Sequence, residues 1–233
     1  MSAYTWVVGT RVMTALLTGL TVLVSVAFIG PRAYAGGDYS GFFSQGELSR
    51  AGWSTCAPVT WSVDITGMTS KQARGEIKSL KRAWRAWSEA SGLSVQYVGR
   101  EQLAFDAATN GLRPRVGSVP DDHHVYIAFK AQRQVPIMAA NAVGLAMPTA
   151  AVYATQELTG GMAIFRRGYV QEQRRLSPSR IQSLYLHELG HVLGLGHSAS
   201  DSDVMYSALT DRGALGEGDR AGIRSFTHTC SAA

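Results

Sequence analysis

The chain has 233 residues, of which 45% are hydrophobic and 17% charged, a balance typical of one globular domain with an adequate core. This composition excludes a disordered chain and a membrane protein with several spans. The formal net charge is +5, and it falls to +3 without Arg11 and Arg32 of the predicted leader. Such a small excess argues against nucleic acid as a partner and supports only weak attraction to an anionic surface.

Residues 1–35 have the pattern of an export signal. Arg11 precedes an apolar run over residues 12–30, and Ala33-Tyr34-Ala35 forms a small-residue cleavage site. The run is long for a signal, so an uncleaved membrane anchor is the alternative interpretation. Cleavage predicts a secreted, extracellular protein that begins at Gly36 and is not inserted in a membrane. We separately expect the protein to be a monomer.

We place the domain over residues 56–230, with a flexible segment before it and a strand at its start. Residues 36–55 are rich in glycine and serine and lack periodicity, which predicts a flexible N-terminus ahead of it. The alternation over residues 59–65 predicts a strand with Val59, Trp61, Val63 and Ile65 on one face.

A long helix follows this strand. Residues 69–72, T-S-K-Q, form a capping-box signature, and Gly92 is placed to end the helix. Trp84 and Trp87 could form a ligand platform, but their spacing favours packing in the core, together with Ile77 and Leu80.

In the middle of the chain, the alternating and apolar patterns predict strands over residues 93–98 and 124–129. Weaker patterns predict strands over residues 142–147 and 161–170. Residues 101–122 are expected to form a surface loop, with turn signals at Asn110-Gly111 and Pro120. Four neighbouring side chains could hold a second metal: Asp121, Asp122, His123 and His124. The favoured interpretation is that they form the solvated start of a strand. Residues 218–226 predict a short closing helix that buries Ile223 and Phe226.

Ser177-Pro178 is a favourable helix entry, with a hydroxyl cap followed by proline, and it leads into a histidine motif. His187 and His191 are four residues apart, so on a helix both imidazoles project from one face and can reach one metal ion. Glu188 can lie over that metal without binding it, as a general base for water requires.

A third histidine completes the ligand set. Gly194 can adopt the positive φ that ends the helix, after which the chain turns back and His197 can supply another nitrogen. Three neutral imidazoles leave the fourth position of zinc for water, which is typical of a catalytic site. A non-catalytic peptide-binding module and an anchored protein with a structural metal are the alternatives. Glu188 argues against the first, and the lack of a fourth protein ligand argues against the second.

Residues 187–206 read H-E-L-G-H-V-L-G-L-G-H-S-A-S-D-S-D-V-M-Y and resemble the metzincin peptidases. Ser198 after the third histidine, together with Val204-Met205-Tyr206, is most similar to the matrixin branch, the relatives of the matrix metalloproteinases. The resemblance implies an α+β, zincin-like fold. This fold has a twisted, mostly parallel sheet with an antiparallel edge strand, a long helix, an active-site helix and a C-terminal helix.

The resemblance also implies a zinc metalloendopeptidase. One catalytic Zn²⁺ would be bound by His187, His191 and His197, with Glu188 as the general base and Met205 in a turn beneath the metal. An extended polypeptide substrate would lie along an edge strand, which we place at residues 143–147. No motif supports Ca²⁺ or a second zinc, and the nearby Asp201 and Asp203 are assigned to a solvated loop.

The two cysteines have alternative roles. In an oxidising compartment a pair of cysteines tends to form a disulfide. Matrixin relatives can instead be kept inactive by a thiolate from a pro-region, and Cys56 could be such a latch. Residues 36–55 are too few to form a folded pro-domain, so we expect a disulfide between Cys56 and Cys230 and an enzyme that is active on secretion.

Overall fold

The computed structural model describes residues 39–43, 48–116, 123–138 and 141–230, so the predicted leader, Asp121 and Asp122 lie outside the described residues. The strands are β1 (Tyr39–Gly41), β2 (Val59–Asp64), β3 (Val95–Arg100), β4 (Leu103–Asp106), β5 (Gly111–Pro114), β6 (His124–Lys130), β7 (Gly144–Val152), β8 (Glu157–Arg166) and β9 (Leu195–Ser198). The helices are α1 (Ser70–Ser91), α2 (Arg167–Leu176), α3 (Pro178–Val192) and α4 (Glu217–Phe226). Among these described helices, none has the length and apolar character needed to span a bilayer.

The central sheet has five strands in the order β3-β2-β6-β8-β7. Strands β2, β3, β6 and β8 run parallel, and β7 pairs antiparallel with β8 at one edge. The fold is therefore α+β with a mostly parallel sheet and an antiparallel edge strand, as predicted. Residues 144–147 of the expected edge strand lie in β7.

Helix α1 begins and ends as its sequence predicts. The Thr69 hydroxyl accepts a hydrogen bond from the Gln72 amide, the Gln72 side chain accepts one from the Thr69 amide, and Gly92 has a φ of 79°. Trp84 and Trp87 are buried in the core, which confirms the packing prediction. The Trp87 indole donates to the carbonyl of Leu186 at 2.9 Å, so α1 is bonded to α3 immediately before the histidine motif.

The sheet is buried on both faces, and this explains why one predicted loop is wrong. Strands β4 and β5 form an antiparallel hairpin within residues 101–122 that covers the face opposite α1 and α3. The ammonium of Lys130 donates to Asp64 at 2.5 Å and to the Leu103 carbonyl at 2.6 Å, while Asp64 accepts from the Leu103 amide. These contacts join residues distant in sequence, so the local pattern could not predict them.

The strand predicted over residues 161–170 ends at Arg166, and the chain continues as helix α2. The last four residues of that prediction are therefore wrong. Val170 of α2 is buried, and Arg174 forms an ion pair with Glu76 of α1, which also accepts from the Tyr185 hydroxyl. Packing against α1 and α3 thus determines the structure of this segment.

The described part of residues 36–55 is packed, in contrast to the flexible segment that we expected. Strand β1 pairs antiparallel with β9, and the Trp53 side chain is 1% exposed and donates to the Val192 carbonyl at 2.9 Å. Cys56 and Cys230 form a disulfide that joins the two ends of the domain, as predicted.

Candidate metal centre

Helix α3 presents His187 and His191 on one face, and each ring is oriented by a backbone carbonyl. The Ser177 hydroxyl accepts from the Arg180 amide at the start of this helix, and Pro178 occupies its first turn, as the sequence predicts. Nδ1 of His187 lies 2.7 Å from the Val204 carbonyl, and Nδ1 of His191 lies 2.8 Å from the Leu195 carbonyl. Because a carbonyl can only accept, each Nδ1 carries the proton and each Nε2 is left unprotonated, with a lone pair available to a metal ion.

Helix α3 ends at Val192, and the chain then turns back so that His197 can approach the other two histidines. Gly194 has a φ of 97°, and a Cβ at this position would lie 2.8 Å from the Ala51 carbonyl oxygen. Glycine is therefore required by both conformation and space. Beyond this turn β9 carries His197 back to the helix, so that one ligand atom from each of the three histidines lies within 4.8 Å of the others.

The three histidines fit a zinc ion. The Nε2 atoms of His187 and His191 are 3.1 Å apart, and both carry lone pairs because both Nδ1 atoms donate to carbonyls. Two facing lone pairs at this distance repel each other unless a cation lies between them. Tetrahedral ligation with Zn–N bonds of about 2.0–2.1 Å places neighbouring nitrogens at about 3.3 Å.

Burial keeps the imidazoles neutral. It lowers the pKa of His187 to about 4, it lowers the pKa of His191 well below its usual value, and it lowers the pKa of His197 as well. Metal ligands must be unprotonated, so these three side chains are in the ligating form at neutral pH before any ion arrives.

Glu188 is carried by helix α3, and its carboxyl group lies against the edge strand β7. Its carboxyl group is buried, and burial raises its pKa to about 8 in the absence of a metal. A divalent cation nearby would lower that pKa again and restore the carboxylate. A Cβ at Gly144 would lie 2.1 Å from Oε1 of Glu188, so the backbone of β7 runs directly against this carboxyl group.

Met205 packs against the helix that carries His187 and His191. Its side chain is fully buried, and its sulfur would lie 2.3 Å from a Cβ at Gly190, one residue before His191. The Met205 carbonyl accepts from the Ser198 amide at 2.8 Å, which ties this turn to the residue after His197. The structure therefore places Met205 in a turn that contacts both the histidine helix and the residue after His197.

Two buried aspartates hold this turn, and neither role was predicted from the sequence. Asp219 of α4 accepts from the backbone amides of Val204 and Met205 at 2.8 and 3.1 Å. Asp203 is 1% exposed and accepts from the Ser198 hydroxyl at 2.7 Å, so its assignment to a solvated loop was wrong. Asp219 in the first turn of α4, three residues after Gly216, was a sequence signal for a helix cap, but its bonds to residues 204 and 205 are tertiary contacts.

The candidate second metal site is not assembled from the histidines that the structure describes. His124 is 6% exposed, and its two ring nitrogens lie 2.7 and 3.0 Å from the hydroxyls of Thr60 and Ser62. His123 lies 3.1 Å from Glu157. The favoured interpretation of a solvated strand start was therefore also wrong for His124, because β6 is a central strand.

This combination of features defines the metzincin class: a helix with two histidines and a glutamate, a glycine turn, a third histidine on the returning strand, and a methionine turn beneath. A family model described as Matrixin matches residues 119–227. A relative named "Hatching enzyme" from Paracentrotus lividus is 30% identical over 178 residues, which cover 75% of this chain and 26% of that protein. The chain therefore spans about a quarter of the length of this relative. The motif, the fold and the family match together identify the chain as matrixin-like.

Proposed function

We propose that this protein is a zinc-dependent endopeptidase that cleaves extended polypeptide chains. The proposal is supported by two observations: three histidines converge on one another, and Glu188, the residue after His187, has its carboxyl group against the edge strand β7 at Gly144. The match to matrixins and the relation to a hatching enzyme support the same class of activity.

His187, His191 and His197 would hold the ion, and a bound Zn²⁺ would polarise the scissile carbonyl and lower the pKa of its water to roughly 7. Glu188 then accepts the proton of the attacking water at a carboxylate oxygen and passes it to the nitrogen of the leaving amine. The carbonyls of Val204 and Leu195 keep the first two imidazoles in the ligating tautomer.

Strand β7 is the part of the chain that we expect to align the substrate. It is the last strand in the order of the five-stranded sheet, so its outer edge can pair with an added extended peptide. Gly144 at its start lies against Glu188, so a peptide paired with this edge passes beside the catalytic base. Pro148 lies within β7 opposite Gly161, and sheets accept proline at an edge strand; the register with β8 shifts just after it, between Pro148 and Ala150.

We also propose that the protein is exported, with cleavage after Ala35. The support is the cleavage pattern in the sequence together with the disulfide between Cys56 and Cys230, a bond that persists in oxidising compartments. N-terminal sequencing of protein from the culture medium should start at Gly36. Membrane-associated protein that starts at Met1 or Ser2 would support the anchor instead.

The test of the proposed activity is cleavage of denatured casein before and after treatment with a metal chelator. We expect the protein to cleave casein, to lose that activity in the chelator, and to regain it when Zn²⁺ is restored in slight excess. Cleavage that continues at an unchanged rate after the metal has been removed would contradict a zinc mechanism.

A further inference from the structure

Helix α1 carries a row of basic side chains on the face that points away from the core. Six lysines and arginines recur along it, and all are exposed: Lys71, Arg74, Lys78, Lys81, Arg82 and Arg85. At about 100° per residue they lie within an arc of about 100°, and they extend over about 21 Å of the helix axis. We call these six side chains the α1 basic face.

Most of the excess positive charge of the chain lies on this helix. The sequence has 22 basic and 17 acidic residues, of which α1 holds six and two. One of these acids, Glu76, is buried on the opposite side of the helix, where it pairs with Arg174. The other, Glu89, is exposed on the same side of the helix as the basic residues, about one turn beyond Arg85, and forms no ion pair with them in the described chain. A modest net charge is thus concentrated on one surface.

The α1 basic face is not neutralised within the protein. Across the described ranges, none of the six side chains forms an ion pair with a carboxylate. Lys81 lies 4.6 Å from the centre of the Tyr97 ring, and Arg82 donates to the Ser79 hydroxyl. Like charges three and four residues apart repel and destabilise a helix. A ligand with repeated negative charges would relieve this repulsion.

We propose that the α1 basic face binds a linear acidic polysaccharide, one that carries sulfate or carboxylate groups along its length. A band of cations that extends along the helix axis matches an extended chain of anions. The guanidinium groups of Arg74, Arg82 and Arg85 can each make two parallel hydrogen bonds to a sulfate or a carboxylate. The lysines add point charges between them.

The same surface is poorly suited to the other common polyanions. Single-stranded nucleic acid is held by aromatic side chains on which bases stack, but the two tryptophans of α1 are buried. A membrane-binding helix inserts apolar side chains, yet every large exposed hydrophobic residue of the described chain lies outside α1. These exposed hydrophobic residues are Val98, Val116, Ile137, Val152, Tyr153 and Leu176.

A polysaccharide bound here would leave the active-site cleft open. The buried face of α1 packs on α3, where Trp87 donates to the Leu186 carbonyl next to His187. The α1 basic face is on the other side of its helix, so a bound polymer lies away from the three histidines. Binding would hold the protein on an acidic matrix without competing with the substrate.

The test compares two triple variants of the secreted chain that lose the same charge. The first is R74Q/K78Q/R85Q on α1, and glutamine retains the helix propensity of these positions. The matched control is R133Q/R175Q/R220Q, three exposed arginines on other elements. We expect heparin affinity at about 0.15 M salt to fall about 10- to 100-fold in the first variant and less than about threefold in the control. Casein cleavage and melting temperature should stay unchanged or, for the melting temperature of the α1 variant, rise slightly.

Any one of three other outcomes would overturn the proposal. An equal loss of heparin affinity in both variants would show that binding follows net charge alone. A parent protein that binds neither heparin nor alginate at this salt concentration would show that no polysaccharide site exists. Tighter binding to duplex DNA or to phosphatidylglycerol vesicles than to heparin would assign the face to a different partner. None of these readouts depends on peptidase activity.

Discussion

Replacement of Glu188 by alanine should reduce the casein-cleavage rate by about 10²- to 10⁴-fold, because the variant lacks the proposed general base. The change should leave the fold intact. Glu188 makes no hydrogen bond to any other residue in the described part of the chain, so its removal leaves no partner unsatisfied. Because Glu188 is assigned as base and not as ligand, the variant should still bind zinc.

The control for this experiment is Glu172→Ala, which removes an exposed carboxylate from α2 by the same substitution. Cleavage rate, zinc content and melting temperature should be measured on all three proteins. A Glu188→Ala variant that cleaves casein at the parent rate would contradict the mechanism. Loss of activity together with loss of zinc would assign Glu188 a role in the metal site instead.

Removal of the Cys56–Cys230 disulfide should cause the largest change in stability. The bridge closes a loop with a sequence separation of 174, and loss of a native disulfide costs typically about 2–5 kcal/mol in the free energy of unfolding. The two ends remain paired without it. The Thr55 amide donates to the His228 carbonyl and the His228 amide donates to the Trp53 carbonyl, both at 2.9 Å. The double serine variant should therefore fold to the same structure with lower stability.

Guanidinium denaturation of the parent and of the Cys56→Ser/Cys230→Ser variant measures this difference. An unchanged midpoint and slope would show that the bridge contributes nothing to the stability of the domain. Thiol titration of the denatured, unreduced parent should find no free cysteine. Two free thiols, with activity that appears only after Cys56 is alkylated, would support the latch.

The elements that the sequence predicts well are those whose signals are local. Thr69 and Gly92 set the ends of α1 through contacts within a few residues, and the spacing of His187, Glu188 and His191 on α3 depends only on helix geometry. Gly194 predicted the turn that returns the third ligand, since its positive φ is a property of glycine itself.

The elements that were not predicted from the sequence depend on partners distant in the chain. Strands β4 and β5 are held by the ion pair between Asp64 and Lys130, and α2 is held on α1 through Glu76. Asp219 supports the Met205 turn through backbone amides 14 and 15 residues away. No local periodicity indicates such contacts, so the sequence could predict the three histidines that converge but not the residues that hold them in position.

The most direct test of the metal centre is the zinc content of the purified protein, measured by metal analysis for the parent and for His197→Ala. His228→Ala is the matched control, because it removes a histidine whose ring lies 3.3 Å from the Arg50 carbonyl and outside the site. We predict one zinc per chain in the parent and the control, and an occupancy well below one in His197→Ala, which lacks one of the three protein ligands. Full occupancy in His197→Ala would remove His197 from the site, and a parent without zinc would contradict the account as a whole.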